Sequence, residues 1–261
     1  MKKSILTLSV VIAAMLFTAC GNSGNSKSAT LSGNDTELKQ GDFNQVVVER
    51  YSFNDSIFVH DTLGTGLEDG YSRFAVAIDI PVVENDALRK AILHWILGSD
   101  TEDYDAVVME QRSRFYAEEG GEVPNASFDA QIEMVDQGEK YVTYVNSGES
   151  YSSITHVNPW REGATFVKAD GSVIGYDMFE QPEQLVGIIE KALLANDVWE
   201  GEEHIPGLQM PSTAPWIEKD CMVFRYGTYE IGSFADGEIE CKVPVAELKP
   251  YFSAKGKALF E

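Results

Sequence analysis

The most regular alternation of hydrophobic and polar residues lies in residues 71–81, where every second side chain is apolar. The apolar positions are Phe74, Val76, Ile78 and Ile80. A period of two predicts a strand with one buried face. The segments 43–51 and 56–60 predict two further strands, separated by a turn at Asn54-Asp55.

Three stretches repeat their apolar residues every three or four positions, which predicts amphipathic helices. The first begins after Asn85 or Asp86, either of which can cap a helix, and ends at Gly98. The second covers residues 103–118. The third begins at Pro182, and its apolar face consists of Leu185, Ile188, Ile189, Ala192 and Leu193.

The remaining segments with alternating polarity predict short strands. They are 127–135, 141–146, 152–157, 164–168, 172–176, 221–226 and 239–243. A turn at Asp170-Gly171 joins 164–168 to 172–176, and a short helix follows Pro244. We therefore expect an α+β protein with antiparallel sheets and helices packed on one face, organised as two α/β subdomains.

Residues 1–19 predict a bacterial signal peptide. Lys2 and Lys3 form its positive start, and the apolar run 5–17 is too short to be a stable membrane span. This segment is therefore expected to be absent from the mature fold.

Residues 16–20, LFTAC, resemble the cleavage motif of bacterial lipoproteins, which makes Cys20 the predicted lipidation site. The alternative is an ordinary signal peptide that contains a cysteine. Residues 20–42 are small and polar, which predicts a flexible tether. We expect a lipid-anchored, extracytoplasmic protein of the cell envelope that faces the periplasm or lies at the outer membrane.

The chain is strongly acidic, with a formal net charge of −22, and removal of Lys2 and Lys3 with the signal peptide makes it −24. The phosphates of nucleic acids would be repelled by such a surface, so nucleic-acid binding is excluded. An acidic surface accelerates encounters with basic proteins. Its simpler interpretation is solubility outside the cytoplasm.

Two cysteines remain once Cys20 is lipidated. If residue 226 pairs with residue 236, Cys221 lies opposite Cys241, a geometry that permits a cross-strand disulfide in an oxidising compartment. The alternative is two buried thiols that pack side by side.

Residues 229–249 resemble the C-terminal signature of a bacterial family, the RsiV-like extracytoplasmic domains. The matching residues are Tyr229-Glu230-Ile231, Phe234-Ala235-Asp236-Gly237, Ile239, Val243-Pro244 and Glu247-Leu248-Lys249. The resemblance implies a domain of unknown function over 125–261 and a companion N-terminal domain over 43–124. The best-known member of the family binds lysozyme, so the resemblance implies a binding or sensing module without catalysis or a cofactor.

The sequence contains no serine-hydrolase elbow and no zinc-protease helix motif, and its four histidines are scattered, so no metal site is predicted. The candidate ligand-contacting residues are Trp160, Tyr229, Phe234 and His156, although Thr155 and Val157 replace the glycines that flank this histidine in the family. The expected partner is an envelope protein, a cell-wall ligand or a basic protein such as lysozyme. The alternatives are an enzyme that modifies wall glycan and a structural envelope lipoprotein.

Overall fold

The fold is given by a computed structural model that describes residues 45–64, 66–152, 156–195, 199, 203–233 and 236–260. Outside the described residues lie the predicted signal peptide, the lipidation site Cys20 and positions 43–44 of the first predicted strand. The same is true of the tether and of Phe234.

A five-stranded sheet, here the first sheet, occupies the N-terminal part of the described chain. Its strands are β1 (Val47–Val59), β2 (Gly70–Val82), β3 (Ser127–Gln137), β4 (Tyr141–Tyr151) and β5 (Asn158–Val167), in that spatial order. Neighbouring strands are antiparallel except β2 and β3, which run parallel from Arg73 opposite Ser127 to Ile78 opposite Ile132. A parallel pair needs a long crossover, and the two helices between β2 and β3 supply it.

Strand β1 is continuous, so the predicted interruption at Asn54-Asp55 is wrong. Both residues stay in register with β2, Asn54 opposite Ala75 and Asp55 opposite Phe74. Tertiary contacts hold this segment extended: the Asp55 carboxylate forms an ion pair with Arg112 of a helix. The local turn preference of Asn-Asp is outweighed by the sheet and by this pair.

Helices α1 (Asp86–Leu97) and α2 (Tyr104–Phe115) cover one face of the first sheet. The Asn85 side chain caps α1 by accepting hydrogen bonds from the amides of Ala87 and Leu88, and Gly98 ends it in the left-handed conformation. The helices and the sheet share one hydrophobic core, in which Phe74, Ile92 and Phe166 are fully buried.

A three-stranded antiparallel sheet, here the second sheet, lies in the C-terminal part. It consists of β6 (Trp216–Glu218), β7 (Cys221–Tyr226) and β8 (Ile239–Pro244). Helix α3 (Val186–Leu193), preceded by a 3-10 turn that begins at Pro182, packs on this sheet. Two short helices follow β8, α4 (Val245–Leu248) and α5 (Ala254–Phe260). The helices predicted after Pro182 and Pro244 are therefore confirmed.

Two of the short predicted strands differ from the structure. Ser152, His156 and Val157, the described residues of the predicted strand 152–157, lie outside the strands in the connection between β4 and β5. The predicted turn at Asp170-Gly171 forms, but the segment after it makes only one isolated bridge, Phe166 with Val173.

The predicted division at residues 124 and 125 falls within the first sheet. Strand β2 precedes it and β3 follows it, and the two strands are hydrogen-bonded neighbours. The first core draws residues from both sides of this division, from Val46 to Phe166. The two larger hydrophobic clusters of the described chain therefore each lie against one sheet, and a third, small cluster of Val145, Trp216 and Val223 joins the two sheets.

The predicted register of the β7–β8 hairpin is wrong. Cys221 lies opposite Pro244, and Cys241 lies opposite Phe224. Because side chains alternate along a strand, the two cysteines point to opposite faces of the second sheet. Both are free thiols on opposite faces, so they form neither the cross-strand disulfide nor the side-by-side pair of buried thiols.

Candidate functional site

The connection between β7 and β8, residues 227–238, contains many of the residues that resemble the RsiV-like signature, and we call it the signature connection. Its first half is held by the Glu230 carboxylate, which accepts hydrogen bonds from the backbone amides of Gly227 and Ser212, each at 2.7 Å. The Glu230 amide donates to the Gly227 carbonyl at 2.9 Å, which closes a turn.

The Asp236 carboxylate holds the second half in a similar way. It accepts hydrogen bonds from the amide and the hydroxyl of Ser233, both at 2.7 Å. These donors lower the pKa of Asp236. At Gly232 a Cβ would lie only 2.9 Å from the Ile239 side chain, so a glycine suits this close approach.

Between these two carboxylates the connection presents Tyr229 to solvent. Its side chain is 71% exposed, and its backbone φ is 70°. A residue with a bulky side chain is uncommon in this left-handed region, where the conformation costs about 1–2 kcal/mol. Backbone strain of this kind is concentrated at functional sites, where surrounding contacts enforce it.

The other apolar residues of the signature have structural roles. Ile239, Val243 and Leu248 are buried in the core of the second sheet, and Ile231 packs against that core. Thus Tyr229 is the large aromatic residue that the described part of the signature leaves exposed.

A groove of about 610 Å³ separates the signature connection from the outer edge of β5, and we call it the connection groove. Its walls include Pro159, Trp160 and Arg161 on β5 and Asp236 and Glu238 on the connection. The backbone amide of Arg161 donates to the Glu238 carboxylate at 2.9 Å. This bond ties the edge strand of the first sheet directly to the connection.

Ion pairs fill the space between the two sheets beside this groove. The Arg161 guanidinium donates to Glu218 at 2.6 Å and to Glu240 at 2.7 Å. Arg225 of β7 is only 6% exposed and forms an ion pair with Glu238. The signature connection is therefore attached to both sheets through two arginines.

The two glutamates that hold Arg161 have opposite pKa shifts. Burial alone would raise the pKa of Glu218, but hydrogen bonds from Arg161 and Lys242 outweigh burial and lower it. Burial raises the pKa of Glu240, and the nearby Arg161 offsets only part of this effect. Glu240 is thus the easier of the two to protonate as the pH falls.

Trp160 forms the end of a row of aromatic rings that crosses the helix-covered face of the first sheet. Its ring lies 5.3 Å from that of Phe128, which stacks on Phe74 at 5.1 Å. The indole N–H donates to the Asn146 side chain at 3.2 Å. Gly148, opposite Trp160 on β4, leaves room for the indole, since a Cβ there would lie 2.4 Å from the ring.

The structure does not bring the predicted ligand-contacting residues together: of those it describes, Trp160 lines the connection groove and Tyr229 does not. Trp160 and the signature connection face each other across the connection groove. His156 lies exposed in the connection between β4 and β5 and does not line this groove. No local sequence signal relates Arg161, Arg225 and Glu238, because they lie on three separate segments of the chain.

Within the described residues, no cluster of three or more histidine, cysteine, aspartate or glutamate side chains is arranged to hold a metal ion. No helix in the described part of the chain is both long and apolar enough to cross a membrane.

The architecture defines an α+β protein whose two sheets and helices match those of solved bacterial structures. No family model matches the sequence, and no curated protein matches it. A DUF3298 family protein from Bacteroides fragilis NCTC 9343 is similar in structure, with a TM-score of 0.61 and 16% identity over 81% of this chain and 96% of that one. A DUF3298 family protein from Pseudomonas aeruginosa PAO1 has a TM-score of 0.55 and 12% identity over 82% and 97%.

At these identities the likeness shows a shared fold. The predicted α+β class is therefore confirmed. DUF3298 denotes a domain of unknown function.

Proposed function

We propose that the protein is a lipid-anchored, extracytoplasmic binding or sensing module of the bacterial envelope that contacts a basic protein through the signature connection. The observation that carries this proposal is Tyr229, which is 71% exposed in a left-handed backbone conformation. Exposed tyrosines are common anchors of protein interfaces because they bury a large surface with little loss of side-chain freedom.

The electrostatics of the connection support a cationic partner. Glu230 and Asp236 receive their hydrogen bonds from amides and hydroxyls, which leave their negative charges in place. The mature chain is also strongly acidic as a whole. Such a surface attracts basic proteins at long range, and salt screens the attraction. Lysozyme is the partner that the resemblance to RsiV-like domains suggests.

The anchor is supported by the LFTAC motif at residues 16–20 and by the polar segment that follows it. Acylation of Cys20 would hold the folded part at a membrane surface at the end of a tether. Mass spectrometry of the protein purified from membranes should find an acylated N-terminus at Cys20, and Cys20→Ser should release it from the membrane fraction. An unprocessed N-terminus would exclude the lipid anchor. It would not affect the proposed binding of a basic protein, which is tested separately by titration.

Isothermal titration of the mature chain with hen egg-white lysozyme at low and high salt tests the binding proposal. We expect saturable binding that weakens at high salt, and a loss of about tenfold or more in affinity for Tyr229→Ala. Tyr71→Ala is the matched control, because Tyr71 is 66% exposed but lies on β2, away from the connection.

Tyr229→Gly separates binding from folding. Glycine adopts a positive φ at no steric cost, so this variant should bind as weakly as Tyr229→Ala while it unfolds at the same temperature as the wild type or higher. Absence of heat at both salt concentrations, or equal affinity of the Tyr229 and Tyr71 variants, would refute the proposal.

A further inference from the structure

A second cavity lies between the helices and the first sheet, and we call it the helix–sheet cleft. Its volume is about 400 Å³, which is within the range of small-molecule sites in proteins. The floor is the sheet and the walls are α1 and α2. The apolar residues that line it are Val76, Ile78, Ala130, Ile132, Ile96, Leu97, Val107 and Val108.

Aromatic rings also line the cleft. Trp160 and Phe128 form one side. Trp95, whose ring packs edge-on against Phe166 at 6.2 Å, forms another. The other two lining positions on β3, Ala130 and Ile132, are small or branched, and Ala130 leaves space that a larger side chain would fill. The interior of the cleft is therefore apolar, and it is bounded by the flat surfaces of the sheet and the aromatic rings.

Polar groups gather at the mouth of the cleft. The side-chain oxygen of Asn146 accepts from the Trp160 indole, and this leaves the Asn146 amide nitrogen as a donor. Gln111 adds a second amide, and the exposed Glu162 adds a carboxylate. His94 at the rim is paired with Asp100 at 2.8 Å. The mouth thus offers hydrogen bonds in a negatively charged setting.

We propose that the helix–sheet cleft binds a small amphipathic molecule that has a flat apolar body, a hydrogen-bond donor and no negative charge. The apolar floor and the tryptophan sides fit the body. Glu162 and the Gln111 side-chain oxygen accept from the donor, and the Glu162 carboxylate disfavours an anion at the mouth. This site is separate from Tyr229, so its test does not depend on lysozyme binding.

The test uses two probes that share one apolar body. N-phenyl-1-naphthylamine carries a single N–H donor and no charge, whereas 8-anilino-1-naphthalenesulfonate carries the same rings with an added anion. Fluorescence titration of the mature chain should show saturable binding of the neutral probe, at least about tenfold tighter than that of the anion. Equal or tighter binding of the anionic probe would overturn the proposal.

The location is read from the indole N–H signals of the four tryptophans in a nitrogen–proton correlation spectrum. The neutral probe should shift the signals of Trp95 and Trp160, which line the cleft, and leave that of Trp199, which packs against the other core. The absence of any indole shift, or an equal shift at Trp199, would refute the assigned site.

Variants that fill the cleft complete the test. Ala130→Leu should weaken binding of the neutral probe by tenfold or more. Ala75→Leu is its matched control, because Ala75 lies on the neighbouring strand and points to the opposite face of the sheet. If Ala130→Leu does not fold, Gln111→Trp narrows the mouth from the helix surface and should have the same effect. Unchanged binding in a folded cleft-filling variant would contradict the proposal.

Discussion

The arginine buried between the sheets offers the sharpest test of how the signature connection is held. Arg225 is 6% exposed and forms ion pairs with Glu238 and, at 3.8 Å, with Glu162. Glu238 in turn accepts from the amide of Arg161 on β5. Arg225→Met keeps the length and apolar stem of the side chain but removes the charge, so Glu238 loses its ion-pair partner and keeps only the hydrogen bond from the Arg161 amide.

The expected loss of stability depends on how exposed the Glu238 carboxylate is once its ion-pair partner has been removed. Removal of one partner from a buried ion pair costs about 3–5 kcal/mol, because the other charge remains desolvated. The Glu238 side chain is 22% exposed and can recover part of its hydration, so we expect the lower end of that range, about 3 kcal/mol. For a chain of this size the melting temperature should fall by about 6–12 °C.

Urea unfolding and calorimetry of the mature chain measure this change. Arg73→Met is the control, because the Arg73–Asp129 pair is exposed to solvent, and such pairs contribute about 0–1 kcal/mol. The double variant Arg225→Met/Glu238→Leu should regain most of the lost stability, since neither charge of this ion pair remains. A loss below about 1 kcal/mol for Arg225→Met, or no recovery in the double variant, would refute the reasoning.

Three further changes test the cores and the caps. Burial raises the pKa of Cys241 from 9.0 to about 12, so the folded state holds the thiol proton more tightly than the unfolded state does. The free energy of unfolding should therefore be unaffected below pH 9 and fall between pH 9 and 12. The pKa difference corresponds to a loss of up to about 4 kcal/mol in the free energy of unfolding. Cys241→Val should remove this loss when urea unfolding is measured as a function of pH. Asn85→Ala removes the cap of α1 and should cost about 1–2 kcal/mol by thermal melting. Gly163→Ala would place a Cβ 2.3 Å from the rigid Trp216 ring and should cost about 1–3 kcal/mol in the same assay.

Each of these has an outcome that would contradict it. Cys221→Val, at a half-buried position, is the control for the alkaline loss, and an equal reduction of this loss by both variants would remove Cys241 as the cause. A melting temperature unchanged in Asn85→Ala would mean that the side chain does not hold the helix. Gly163→Ala with wild-type stability would mean that Trp216 moves freely.

Local signals in the sequence predicted the elements that depend on local contacts. Helix α1 begins at Asn85 and ends at Gly98 as expected, because the cap and the left-handed terminus lie within the segment itself. The hairpin strands β7 and β8 and the helices after Pro182 and Pro244 were predicted for the same reason.

Features set by distant contacts were not predicted. The register of β7 and β8 depends on how many residues the signature connection takes up, and Glu230 and Asp236 fix that number by closing turns within it. A shift of three residues separated Cys221 from Cys241. Continuity of β1 through Asp55 depends on Arg112, which lies far along the chain. The site residues Arg161 and Arg225 belong to different sheets, and no local pattern relates them.

These assignments explain why a signature can predict a fold and leave its ligand open. Glu230 and Asp236 close turns, Gly232 permits a close approach, and Ile239 fills a core. Each of these roles is required whatever the protein binds, because each stabilises the connection. Tyr229 has the opposite properties: it is exposed, and a glycine would relieve its backbone. A chain could therefore keep every structural residue of the signature and change its partner through position 229 and the groove beside Trp160. Comparison of relatives with this fold should accordingly find binding differences that follow these exposed positions rather than the buried ones.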